Sequence, residues 1–153
     1  MTGHAARSGA SRSGASAFDS SELLGRMARD LGRIASSSPF VALTWPVPSV
    51  PSERLLGAER DGDAVLWAPP GEDEACGLGA AFTLSAQGPD RFLAIQSQAR
   101  EVWPLLDSSG ADALAPAPCF FGGFAFQAGQ AASPLWHEFG DARFVLPKLT
   151  YLK

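Results

Sequence analysis

The sequence predicts an α+β fold in which antiparallel sheets carry helices on their outside. Three observations lead there. Two stretches repeat apolar residues at three and four positions, the spacing of amphipathic helices. Short apolar runs bounded by Gly, Pro and Asp clusters read as strands and turns. In the last third, aromatic residues alternate around a glycine pair, and an apolar run then continues to Lys153. A hydrophobic content of 46% in 153 residues is enough for one domain with a core, which excludes a chain disordered throughout.

Residues 1–18, MTGHAARSGASRSGASAF, are rich in Ser, Gly and Ala and contain no acid. They are expected to be a disordered tail, with residues 19–153 as the folded portion. A basic, Ser-rich, acid-poor start also matches an organellar transit peptide, but it shows no amphipathic arginine stripe. The first helix runs from Asp19, with Leu23, Leu24, Met27, Leu31 and Ile34 on one stripe and Glu22, Arg26, Arg29, Asp30 and Arg33 mostly outside it. Asp19 or Ser20 can cap its start. The run Ser36-Ser37-Ser38-Pro39 ends it, because the residue before proline avoids helical geometry.

Phe40 to Trp45 reads as a strand, which Pro46, Pro48 and Pro51 break into an extended connection. Around the turn signal Glu59-Arg60-Asp61-Gly62-Asp63, Leu55-Leu56 and Ala64 to Trp67 are expected to pair as a hairpin. Ala75 to Ala86 follows the Pro69-Pro70-Gly71 break as another strand. Its Gly77 and Gly79 allow close backbone approach and lack the spacing of a phosphate loop. Gly88-Pro89-Asp90 opens the second helix, with Phe92, Ile95, Ala99, Val102 and Leu106 as its stripe, Arg91, Gln98, Arg100 and Glu101 pointing elsewhere, and Pro104 at its end. A linker over residues 107–118 leads into Cys119 to Phe126, expected to be a buried strand. Phe139 to Pro147 and the residues after it form the last strand, within which the chain is expected to end.

A net charge of -4 with 12 basic residues offers no broad cationic face, so nucleic acid is a poor partner. No apolar run is long enough to span a bilayer. Cys76 and Cys119 are too few for a disulfide framework and lack zinc-site spacing, which suits a reducing cytoplasm. Glu72, Asp73 and Glu74 are contiguous, but neighbours on an extended chain point apart, so they read as a solvated loop and not a metal site. His137, Glu138 and Asp141 read as a polar turn, and Cys119 as a buried structural thiol and not a nucleophile.

The segments FFGGFAF at Phe120 to Phe126, PLW at Pro134 to Trp136 and FGDARFVLP at Phe139 to Pro147 closely resemble the middle of isochorismate synthases, which are chorismate-utilising enzymes. The upstream order is similar too: the Trp67 strand, the Gly77-Leu78-Gly79 strand with Ala80-Ala81, and the helix from Phe92 to Trp103. The likeness covers about Phe40 to Lys153. It implies a large domain of antiparallel sheets with helices outside, to which this stretch contributes framework. It also implies isomerisation of chorismate to isochorismate with Mg²⁺, feeding menaquinone or siderophore synthesis. In that family a lysine activates water, a glutamate protonates the departing hydroxyl and further glutamates hold the metal. All of these groups are expected beyond Lys153, so the resemblance places no catalytic, substrate-binding or metal-binding residue in this sequence, and no cofactor is expected to bind it.

Chorismate is a dicarboxylate, so Arg143 or Lys148 on a strand could face it. The plainer reading is that each is a solvent-side residue beside an apolar neighbour. Gly122 and Gly123 read as relief for crowded aromatics. Anthranilate synthases carry Leu-Leu-Glu-Ser in the equivalent early hairpin, where it helps bind inhibitory tryptophan. Here Leu55-Leu56 is followed by Gly57-Ala58, which favours the isochorismate branch. Three roles stay open: part of an isochorismate synthase that is inactive by itself, a non-catalytic binding or regulatory module, or a complementing half for another enzyme of the group (salicylate, anthranilate or aminodeoxychorismate synthase).

Overall fold

A computed structural model describes residues 20–34, 37–59, 62–108, 117–129 and 136–153. The expected tail, the Asp19 cap, Ser36, the Arg60-Asp61 turn, linker residues 109–116 and Pro134-Leu135 lie outside them. The chain divides into two units, Met1–Arg33 and Ile34–Lys153. The described part of the first is α1, Ser20–Arg33, with Glu22 in its first turn and Arg33 in its last, both favourable to the helix dipole.

The second unit is built on a four-stranded antiparallel sheet in the order β2-β3-β6-β5, from Ala64–Trp67, Ala75–Ala86, Ala142–Leu152 and Phe121–Phe124. The sheet curls towards a half-barrel. One cause is a register shift between Ala80 and Phe82 that places an extra β3 residue against β6. Gly79, at φ +64, adds to the bend in a conformation that favours glycine. Pro147 is tolerated in a central strand because β5 pairs only with Ala142 to Val145, leaving Pro147 beyond its reach and next to the shift.

α3, Arg91–Val102, lies along β3 and β6. Its Ile95 and Val102 close on Leu84 and Ala142, with Phe82, Ala86, Ala99, Phe120 and Phe144 around them. Each aliphatic side chain fully buried in such a cluster contributes roughly 1.5–3 kcal/mol. Pro104 falls in a 3₁₀ turn, Trp103–Leu105, after which β4, Leu106–Asp107, pairs in parallel with β1, Phe40–Val41. Gln98 bridges the helix to the free edge of β3: the Ser85 amide donates to its Oε1 at 3.2 Å, and its Nε2 donates to the Ser85 carbonyl at 2.9 Å.

Several expectations are corrected. Leu55 and Leu56 belong to a short helix, α2, Ser52–Leu56, and β2 pairs with β3 instead. Leucine favours helix, and Glu53 sits in the first turn as the dipole prefers. The strand expected over Phe40 to Trp45 is regular only at Phe40–Val41, since the partner offered by β4 is two residues long. Phe121–Phe124 is an edge strand with alternating exposure and not a buried one, and Phe126 beyond it is 95% exposed. The last strand, β6, is central, paired on both sides, and Lys153 exchanges backbone hydrogen bonds with Glu74 at 2.9 and 2.8 Å.

Candidate functional site

The register decides what each face of the sheet presents. Ala142 and Phe144 turn towards α3, so their β5 partners Phe124 and Gly122 share that side. Arg143 and Val145, with partners Gly123 and Phe121, face the other way. There an open cleft of about 240 Å³ is lined by Val65, Gly77, Phe121, Phe139, Val145 and Pro147, with Arg143 and Asp63 supplying the charge. Gly77 lets its walls close: a Cβ there would lie 2.6 Å from Pro147 Cγ and 2.8 Å from Val65 Cγ1.

Arg143 Nη2 donates to Asp63 Oδ1 at 2.7 Å, joining β6 to the residue that precedes β2. Both side chains are about one third exposed, so this pair is screened and contributes little to stability. A neighbouring depression shares Asp63 and Gly79 and adds Glu59, Leu78 and Lys148. Arg143 thus differs from a purely solvent-side residue, while Lys148 stands exposed at a rim.

A second cluster is structural. Asp141 is 3% exposed, and its carboxylate accepts the Gly88 amide at 2.7 Å and the Gly129 amide at 2.8 Å. Arg91, also buried, donates from Nη1 to the Gly88 carbonyl at 3.2 Å and from Nη2 to the Ala125 carbonyl at 3.1 Å. Together they tie the turn before α3 to the segment after β5. Arg91 was expected to point away from the core. One signal could have placed it: a cation in the first helical turn opposes the dipole and needs another reason to be there.

The remaining candidates disperse. Glu72 and Asp73 are exposed, whereas Glu74 Oε1 accepts the hydroxyl of buried Ser52. His137 and Glu138 lie exposed on the turn over residues 136–139, whereas Asp141 is buried. Cys119 is exposed, a correction to the buried thiol expected of it, because the strand begins two residues later and the segment before it stays at the surface. Cys76 is fully buried beside α2; burial first, and the Glu74 carboxylate second, push its thiol up. Tyr151, whose hydroxyl accepts the Val50 amide at 2.8 Å, helps to hold the segment entering α2 over this end of the sheet.

Magnesium requires several oxygen ligands converging on one point. Among the described residues no three His, Cys, Asp or Glu side chains gather in that way, and Asp63, Glu74 and Asp141 are already engaged. The described residues do not fit the metal. No helix among them is long and apolar enough to cross a membrane.

A family model described as "Chorismate binding enzyme" matches residues 27–153. Neither the curated proteins nor the solved structures gave a match.

Proposed function

The chain belongs to the chorismate binding enzyme family, and from that premise we propose that it serves isochorismate synthesis, as sheet framework for the Mg²⁺-dependent isomerisation of chorismate to isochorismate. The observation that carries this reading is the pairing of the two segments on which the resemblance rests most. FFGGFAF and FGDARFVLP lie side by side as β5 and β6, Phe121 opposite Val145 and Phe124 opposite Ala142. Their shared identity therefore serves one structural unit, the sheet that carries the Arg143 cleft.

On this reading the lysine base, the glutamate acid and the metal carboxylates are supplied outside the residues described here. The contribution of this stretch is to hold a curled sheet against them and to present an apolar cleft with a cation. General acid–base work demands groups within hydrogen-bond reach of the reacting atoms, and a rigid sheet is what keeps such positions constant. Of the destinations open to isochorismate, menaquinone and siderophores both fit.

The test is a turnover assay with chorismate and Mg²⁺, using the chain alone and mixed with a separately expressed catalytic half of an isochorismate synthase. Isochorismate formed in the mixture above the level of the catalytic half alone is the expected result. Anthranilate, salicylate or aminodeoxychorismate as product would overturn the isochorismate assignment. Chorismate bound but never turned over in any mixture would point instead to a non-catalytic binding module.

A further inference from the structure

Arg143 is only partly used by the fold. Its Nη2 holds Asp63 at 2.7 Å, and among the described residues the guanidinium makes no second hydrogen bond. A guanidinium matches a carboxylate best through two parallel N–H donors, so a one-pronged internal pair leaves the stronger geometry available to a ligand. The pair is also about one third exposed, which makes it weak and easily exchanged. Around it the walls are apolar and partly aromatic: Phe121, Phe139, Val65, Val145 and Pro147, closing over Gly77. Few convergent charges in a mostly apolar concavity suit a small ring compound, which an open cleft of about 240 Å³ covers on one side.

We propose that this cleft is a carboxylate subsite in which Arg143 anchors the acid group of a small ring compound and Asp63 is its displaceable internal counter-ion. The proposal rests on the reading of the chain as a chorismate-handling framework and deepens it by naming a binding residue. With no ligand, Asp63 occupies the guanidinium and keeps a half-buried cation paired. An incoming carboxylate takes the fork, the ring lies against Phe121 and Val145, and Asp63 is released towards solvent on the loop before β2. The adjoining depression shares Asp63 and offers Lys148, which makes no ion pair among the described residues. Glu59 lies on the same rim and sets a limit on how much negative charge is welcome there.

The experiment is calorimetric titration of the full chain with chorismate and, separately, with benzoate as a minimal ring carboxylate and its methyl ester as the neutral control. Wild type is compared with Asp63→Asn, Arg143→Gln, Arg143→Lys and the Asp63→Asn/Arg143→Gln double variant, each checked by thermal unfolding. Removing the competing carboxylate in Asp63→Asn should tighten both acids about tenfold, and Arg143→Gln should weaken them at least tenfold. Arg143→Lys, which keeps the charge but not the fork, should fall between, and the double variant should lose the gain of Asp63→Asn. The ester should not bind.

Unchanged or weaker binding in Asp63→Asn overturns the proposal. So does equal binding of chorismate by wild type and Arg143→Gln, or no binding of either acid to any folded variant. Failure of the family reading has a different signature: Arg143-dependent binding of benzoate with no preference for chorismate and no isochorismate in the reconstituted assay. Isochorismate formed equally well with the Arg143→Gln chain would leave the family reading intact and remove the subsite.

Discussion

Gly122 and Arg143 are in backbone contact across β5 and β6. A Cβ on Gly122 would overlap the Arg143 carbonyl oxygen and come within 2.6 Å of Phe144 Cα. Aromatic crowding, the reason expected for this glycine, is not its cause. At Gly123 the nearest obstacle is the Phe139 ring at 3.8 Å, an ordinary contact.

Gly122→Ala should therefore destabilise the chain by about 3 kcal/mol or detach β5, because backbone cannot yield as a side chain does. Gly123→Ala should cost less than about 1 kcal/mol, since it meets only ordinary contact. Denaturant unfolding of both variants measures the difference, and equal losses would refute the assignment.

Asp141 holds two loops through two amides, so Asp141→Asn turns one accepting oxygen into a donor facing a donor. A loss of about 2 kcal/mol is expected. Amide hydrogen exchange should speed up at Gly88 and Gly129 well before it does at the β3–β6 ladder.

Gln98 substitutes for a missing strand at the edge of β3. In Gln98→Glu a carboxylate oxygen faces the Ser85 carbonyl, and the cost should be about 1 kcal/mol. Faster exchange of the Ser85 amide, with α3 intact by circular dichroism, is the readout.

The Cys76 thiol is raised by burial and by Glu74, so the folded state holds that proton more tightly than the unfolded state. The resulting stability is complete below the ordinary thiol value of 9.0 and is lost as pH rises through the folded value. The stability gap between wild type and Cys76→Ala should therefore narrow above pH 9. In the folded chain at neutral pH an alkylating agent should modify exposed Cys119 and spare buried Cys76.

Much of the architecture was legible because its signals are local. The α3 stripe placed Ile95, Ala99 and Val102 against the sheet, and Pro104 marked the end of the helix. Ala75 to Ala86 and the run to Leu152 stood out as strands from their composition. Phe92, counted in the same stripe, is 53% exposed and stacks on Phe124 with ring centroids 4.4 Å apart, a contact made by a strand some thirty positions away. Leu55-Leu56 shows the opposite failure: two apolar residues satisfy helix and strand equally, and the length of their segment was the missing discriminator.

The site was far less visible. Asp63 reads as the end of a turn and Arg143 as one half of a solvent-and-core alternation, 80 positions apart. By itself the sequence determined the long elements, α3 and the strands around Ala75 to Ala86 and up to Leu152, and which residues are apolar enough to bury, because those properties repeat within a few residues along the chain; it did not determine short segments such as Leu55-Leu56 or Phe40 to Trp45. Only the tertiary structure decided that β6 lies between β3 and β5, and that its odd-numbered residues from Arg143 to Pro147 line a cleft with Asp63 across it. Strand order depends on contacts between distant segments, and one residue of register exchanges the two faces of a sheet.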